Sequence, residues 1–249
     1  MSTFYDVEWN VNPKNIEKYR QVLNQYLDDF LKEKKDRPMD KIFEILLKGK
    51  GLGYSKVGEN HYIGSFEEDA LWEDLLTDAF FATVPYLKDG SKLFISLDNY
   101  DRNLFIKDGS CIDSNDVVVK LLDKTDTRSV TSLDLLSGYH VLDALKRNDE
   151  NDCYGLFYKN EMLGYCSLTS AEKIRDTVKV GEDDLLLFNV FMKEEWRHSG
   201  MASVMIREVT DSLDCDCYIK CPEKDIMDFF LFFDFKKVEN AENIMVRKE

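Results

Sequence analysis

The stretch with the clearest potential for chemistry runs from Leu185 to Ala202. Leu185 to Met192 is apolar on both alternating faces except at Asn189, the pattern of a strand covered on both sides. It should lie in the middle of a sheet. Lys193-Glu194-Glu195-Trp196-Arg197-His198-Ser199-Gly200-Met201-Ala202 follows directly, and Val204, Met205, Ile206 and Val209 then recur at helical spacing. A loop that joins such a strand to a helix N-terminus presents unpaired backbone N–H groups at the positive end of the helix dipole. That arrangement binds a diphosphate without needing many basic side chains. Gly200 lets the backbone approach the phosphates closely, and the small Ala202 keeps the first turn uncrowded. Arg197 either touches a phosphate or braces the loop, while His198 is expected to contribute its backbone amide more than its ring.

Other chemistries have less support. Cys215, Cys217, Ile219 and Cys221 alternate along an expected strand and should share one face, where buried thiols act as small hydrophobes. The six cysteines include no CxxC pair, and with no secretory signal they are expected to be reduced. His61, His140 and His198 are scattered without an HxxxH or HxxH partner, so no metal site is expected. Gly49, Gly51, Gly53 and Gly58 form neither a GxGxxG after a strand nor a GK[ST] loop, and read as a flexible turn.

The elements that must position the central stretch fall into two halves. In the first, Phe4 to Trp9 is strand-like, and Ile16, Tyr19, Val22, Leu23, Tyr26, Leu27 and Phe30 predict an amphipathic helix over residues 13–35 that opens at Pro13. Further helices are expected over residues 39–48 and 68–83, and two apolar runs around Asp98-Asn99-Tyr100-Asp101 predict a β-hairpin. Trp72, Phe80, Phe81 and Tyr86 should fill this half's core. The polar segment Asp108 to Asp116 reads as a junction, with the boundary near Ser114. A small α+β domain over residues 1–113 is therefore expected, with a role in substrate or partner recognition.

In the second half the order becomes strand (117–122), helix (132–146), strands (154–158 and 162–169), the central strand, a helix, a strand (215–220), a helix around Phe229 and a final strand pair. This β-α-β-β-β-α-β-α-β succession implies an α/β (α+β) mixed sheet with helices on both faces over residues 114–249.

At this point the sequence resembles the GNAT N-acetyltransferase superfamily, whose R/Q-x-x-G-x-G/A signature is met by Arg197, Gly200 and Ala202 over about residues 115–249. The aromatic run Phe229-Phe230-Leu231-Phe232-Phe233-Asp234-Phe235 is similar to the family's segment before its last strands. The resemblance implies acetyl-CoA as co-substrate. The amides of His198, Ser199, Gly200, Met201 and Ala202 would hold its diphosphate, and the backbone of Val190, Phe191 and Met192 would pair with the pantetheine arm where the central strand splays from its neighbour. It implies direct attack by a primary amine, with Asp184 at the position of a catalytic carboxylate and Glu182 and Asp183 as close alternatives. The same charges read equally well as a solvated loop. Phe230 falls beside the thioester where the family often has a proton-donating tyrosine, and Asp234 where it has glycine. Tyr218 or another group then supplies the proton, water suffices, or the domain is a non-catalytic CoA-binding or protein-interaction module.

Charge bounds the partners. With 33 basic against 48 acidic residues the formal charge is −15. Its long-range field draws amines in and repels phosphate backbones and anionic lipid. A small-molecule or protein amine is therefore expected as acceptor, with nucleic acid and membrane excluded and a homodimer allowed. No apolar run reaches membrane-spanning length and MSTFYDVEWN lacks the order of a signal peptide, so the chain reads as cytoplasmic.

Overall fold

The computed structural model describes residues 2–33, 55–58, 61–69, 72–97, 100–123, 126–138, 151–221, 224–241 and 243–248. The chain divides into two units, Met1–Asn115 and Asp116–Glu249.

In the first unit, β1 (Ser2–Asn10) alternates strictly, so Tyr5, Val7 and Trp9 point to one face and are fully buried. The helices α1 (Ile16–Glu33) and α2 (Trp72–Thr83) cover that face, with Tyr19, Leu23, Leu76, Ala79 and Phe80 in the same core. A 3-10 turn over Pro13–Asn15 leads into α1, capped by the Asn12 side chain. The sheet runs β2-β3-β1-β4-β5-β6, with β2 Ser55–Gly58, β3 His61–Asp69, β4 Lys92–Leu97, β5 Tyr100–Lys107 and β6 Ser110–Asp113, every pairing antiparallel.

Three expectations change here. Phe81, expected in this core, is 42% exposed. The helix expected over 68–83 starts at Trp72, because residues 61–69 pair with β1 from Ser2↔Asp69 to Asn10↔His61 and the ladder claims their backbone groups. The segment expected as a junction contains β6: Asp108 (φ 51°) and Gly109 (φ 69°) make the left-handed hairpin turn, and the Asp89 carboxylate accepts both of their amides at 3.0 Å. The helix expected over 39–48 and the glycines Gly49, Gly51 and Gly53 lie outside the described residues.

The second unit is a seven-stranded mixed sheet in the order β12-β13-β11-β10-β9-β8-β7. Its strands are β7 Val117–Leu121, β8 Asp152–Tyr158, β9 Glu161–Ser170, β10 Leu185–Met192, β11 Cys217–Lys220, β12 Lys236–Lys237 and β13 Ile244–Arg247. Only β10 and β11 are parallel. β9 is buried at every position from Met162 to Thr169, which requires cover on both faces. The fold is the mixed α+β arrangement the element order implies.

On one face, α3 (Thr127–Ser137) packs Val130 and Leu133 with Cys153, Met162 and Tyr165. This helix begins five residues before its expected start at Ser132 and is described as far as Ser137, with Gly138 at φ 70°; the remainder of the expected helix, 139–146, lies outside the described residues. On the same face residues 171–184 fold over β10, β11 and β13, with Ala171, Ile174 and Val178 against Leu186, Tyr218 and Val246. The helix α4 (Met201–Asp211) buries Met201, Met205, Ile206 and Val209. The helix α5 (Lys224–Leu231) and the turn after it carry an aromatic cluster of Phe229, Phe230, Phe233 and Phe235. No helix among the described residues is long and apolar enough to cross a membrane.

Gly164 on β9 is the point of closest approach to β10. A Cβ there would lie 2.3 Å from the Met192 sulfur and 2.4 Å from the Phe191 carbonyl oxygen. Because one of those atoms is backbone, Gly164→Ala is expected to cost about 1–3 kcal/mol, read as a lowered denaturation midpoint. An unchanged midpoint would show that β10 yields freely here.

Candidate functional site

Asn189 is the one polar residue within β10, and its backbone takes φ 52°. Asparagine tolerates that left-handed region better than the β-branched and aromatic residues around it. The result is a β-bulge. Phe188 pairs with Ser167 and Phe191 with Tyr165, so Asn189 and Val190 oppose Cys166 alone. The bulge coincides with a change of neighbour on the other edge, since β10 pairs with β11 only from Leu185 to Leu187. Among the described residues, no strand pairs with Phe188–Met192 on that edge. The ladder between β10 and β11 thus ends at Leu187, where the slot between the two strands is expected.

Beyond the slot the chain turns through Glu194–Trp196 into α4. His198 (φ 61°) and Gly200 (φ 83°) are both left-handed, so the chain turns sharply at two positions just ahead of α4. Ser199 is buried: its hydroxyl donates to the Trp196 carbonyl at 2.6 Å and accepts from the Met201 amide at 3.3 Å. Met201 is buried as well. His198 is exposed, Gly200 and Ala202 are partly exposed, and among the described residues their amides meet no acceptor. The residues expected as one row of amides therefore divide. His198, Gly200 and Ala202 face outward, whereas Ser199 and Met201 secure the turn.

Arg197 braces. Its Nε donates to the Met192 carbonyl at 3.2 Å, and its guanidinium lies 6.0 Å from the centre of the Phe191 ring, so the loop is tied to the end of β10. Val190 and Phe191 are partly buried and Met192 is buried, all three beyond the end of the β10–β11 ladder.

The residues expected to move protons sit at the other end of β10. Asp184 is partly buried and accepts from the Gly181 amide at 2.6 Å, closing the loop before the strand. The Tyr218 hydroxyl donates to the Lys179 carbonyl at 3.4 Å and also meets the Asp184 carboxylate. Burial raises the Tyr218 pKa; Lys248 opposes the rise, and Asp184 and Asp216 add to it. Asp184 and Tyr218 are brought together, but Asp184 precedes Phe188 by four residues, about 13 Å of strand. Glu182 is exposed, at the rim of an open hollow of about 580 Å³ lined by residues 175–182. Phe230, expected beside the cofactor, is 2% exposed, with its ring against Phe229, Phe233 and Phe235. Asp234 takes φ 61°, the left-handed position for which a glycine is the usual solution.

No group of three potential metal ligands occurs among the described residues. Cys217 and Cys221 are buried, whereas Cys215 is only partly so.

No family model matches the chain, and no curated protein matches it in sequence. Solved structures are similar to it in fold over about half of its length. One is the paiA N-acetyltransferase of Thermoplasma acidophilum in complex with coenzyme A (12% identity, 53% of this chain and 99% of that chain, TM-score 0.39). Another is an acetyltransferase of the GNAT family from Staphylococcus aureus (8% identity, 53% and 98%, TM-score 0.40). A third is AtaT complexed with acetyl-methionyl-tRNAfMet (15% identity, 53% and 95%, TM-score 0.41).

The expected exclusion of nucleic acid is corrected by that last complex and by a further match, the KacTA–DNA complex. The exclusion took the formal charge of −15 as a uniform field. Screening confines each exposed charge to roughly 8 Å at physiological salt, so a sum over the whole chain does not decide what one surface binds.

Burial pushes the Cys217 thiol up to about 12 and that of Cys221 to about 11, and raises Cys166 further. In the unfolded chain these thiols ionise near 9.0. Above that pH the unfolded state loses protons that the folded state keeps, so stability should fall as pH rises from about 9 towards 12. Chemical denaturation at stepped pH is expected to show the fall, and replacing Cys217 with Ala should reduce its slope; a slope unchanged by that replacement would contradict the assignment.

Proposed function

We propose that the second unit is an acetyl-CoA-dependent N-acyltransferase that transfers an acetyl group to a primary amine by direct attack. The observation that carries this reading is that β10, beyond the end of its ladder with β11, leads directly into the turn whose His198, Gly200 and Ala202 amides meet no acceptor among the described residues. The amides and the positive end of α4 suit a diphosphate. The edge of Phe188–Met192 suits an extended amide-bearing arm, which would pair with it as an added strand does. Bound acetyl-CoA would supply a thioester open to attack by a neutral amine nitrogen.

Asp184, with Glu182 as the alternative, is assigned to proton removal. Its separation from the bulge means that it acts through water rather than by contact. Tyr218, whose raised pKa keeps its hydroxyl protonated at neutral pH, is the assigned donor on the same path. A cytoplasmic location belongs to the proposal. Recognition of the acceptor or of a partner is assigned to the first unit, whose sheet face opposite the helices carries the Phe4–Phe94 ring pair and a His61–Glu8–Lys92 cluster.

One observation favours a second reading. Phe230 has no proton to give and is buried among other rings, and the Tyr218 hydroxyl is already engaged. A module that binds CoA without turnover would need neither group.

Calorimetric titration with acetyl-CoA is expected to show binding that Gly200→Glu abolishes, because the new side chain would bring bulk and negative charge to the diphosphate position. Native affinity in that variant would remove the phosphates from this loop. Thiol release with an amine panel separates transfer from binding alone. Asp184→Asn is expected to leave acetyl-CoA affinity in place and lower kcat about a hundredfold, the scale of a lost proton-transfer group, and an unaltered kcat would take Asp184 out of the proton path.

A further inference from the structure

The two terminal strands of the second unit's sheet are unlike. At one end β12 is two residues long and consists of the exposed lysines Lys236 and Lys237, a short charged edge of the kind that discourages further pairing. At the other end β7 reads Val117-Val118-Val119-Lys120-Leu121, five residues that pair with β8 in unbroken register. It carries no proline and no bulge to blunt it. Val118 is 58% exposed and Leu121 53%. The terminal strands of the first unit's sheet, β2 and β6, have four residues each and are more polar.

The ladder with β8 fixes which backbone groups of β7 are left over. The Leu122 amide donates to the Cys153 carbonyl at 2.7 Å, so in this antiparallel pair the backbone groups of Lys120 and Val118 also point to β8. Those of Val117, Val119 and Leu121 point off the sheet, where they make no bond among the described residues. An apolar strand with a row of such groups is a template for another strand.

The sequence of β7 fits its own copy. Laid antiparallel on itself about Val119, it sets Val117 opposite Leu121 of the partner subunit and Val119 opposite Val119 of the partner subunit. These are the residues whose backbone groups point outward, so each such pair can exchange both of its bonds. Val118 then stands opposite Lys120 of the partner subunit, and no two like charges face each other. Lys120 is also fastened within its own chain: its ammonium lies 2.7 Å from the Asp126 carboxylate and 4.7 Å from the centre of the Phe157 ring.

We propose that β7 is the contact of a two-fold dimer, in which two copies of this chain pair antiparallel about Val119 and their sheets become one. The pairing is independent of the proposed activity. Each copy carries a formal charge of −15, so the copies repel at long range and salt should favour their association.

The test is sedimentation velocity of the full-length chain over a dilution series in low and high salt, with amide hydrogen exchange at the same concentrations. A dimer favoured by salt is expected, with exchange at the Val117, Val119 and Leu121 amides slowing as it forms. Val118→Lys sets like charges opposite each other on both sides of the two-fold axis and should raise the dimer dissociation constant about tenfold. Val118→Glu sets opposite charges there and should lower it. The exposure of Val118 means that both variants should keep the denaturation midpoint of the unsubstituted monomer, and the exchange measurement on the unsubstituted chain stands even if one of them does not fold. A chain that stays monomeric throughout overturns the proposal. So does a dimer that responds alike to both substitutions, or one whose three β7 amides exchange as fast as in the monomer.

Discussion

The second unit depends on one constraint: β10 cannot pair fully with both of its neighbours. A single extra residue, with Asn189 in the left-handed region, shifts its register against β9 at the point where its pairing with β11 has ended. A strand released in this way would ordinarily fray or invite another strand. Here it is held from one side. Gly164 permits close approach at Phe191 and Met192, Tyr165 packs on Phe191, and Arg197 ties the Met192 carbonyl to the following loop. The strand beyond Leu187 stays extended because its edge towards β9 and its far end are fastened.

That arrangement also answers an electrostatic difficulty. A chain of formal charge −15 is an unpromising place for an anion if side-chain charge alone is counted. Backbone amides are dipoles fixed by the fold, and their orientation depends on φ and ψ rather than on composition. His198 and Gly200 take the required angles, and Ser199 spends its hydroxyl within the turn that keeps them there. A local positive potential can thus exist inside a negative long-range field.

The parts of the fold most legible in the sequence were those set by periodic burial. The apolar run of β10 and the helical spacing of Met205, Ile206 and Val209 both describe a surface being covered, and periodicity reports cover directly. Less legible were features set by pairing. Residues 61–69 show a strand only once β1 lies beside them, and β6 was hidden in a polar stretch although Asp108-Gly109 is a strong hairpin signal. In the candidate site, the turn between β10 and α4 is legible because strand, glycine and helix follow in order. The bulge was not read, yet its signal was present as Asn189, the polar exception in an apolar strand. The pairing of Asp184 with Tyr218 and the enclosure of Phe230 were beyond reach, since both depend on how residues 171–184 and α5 fold back on the sheet.

The outward amides of His198 and Ala202 would make the same contacts beneath many other side chains. A site written mainly in the main chain is therefore permissive in its alphabet and strict in its geometry. Over long divergence the letters there can turn over while the torsions persist, so the positions under tightest restraint would be those, such as Asn189 and Gly200, that give a ligand little beyond the path of the backbone.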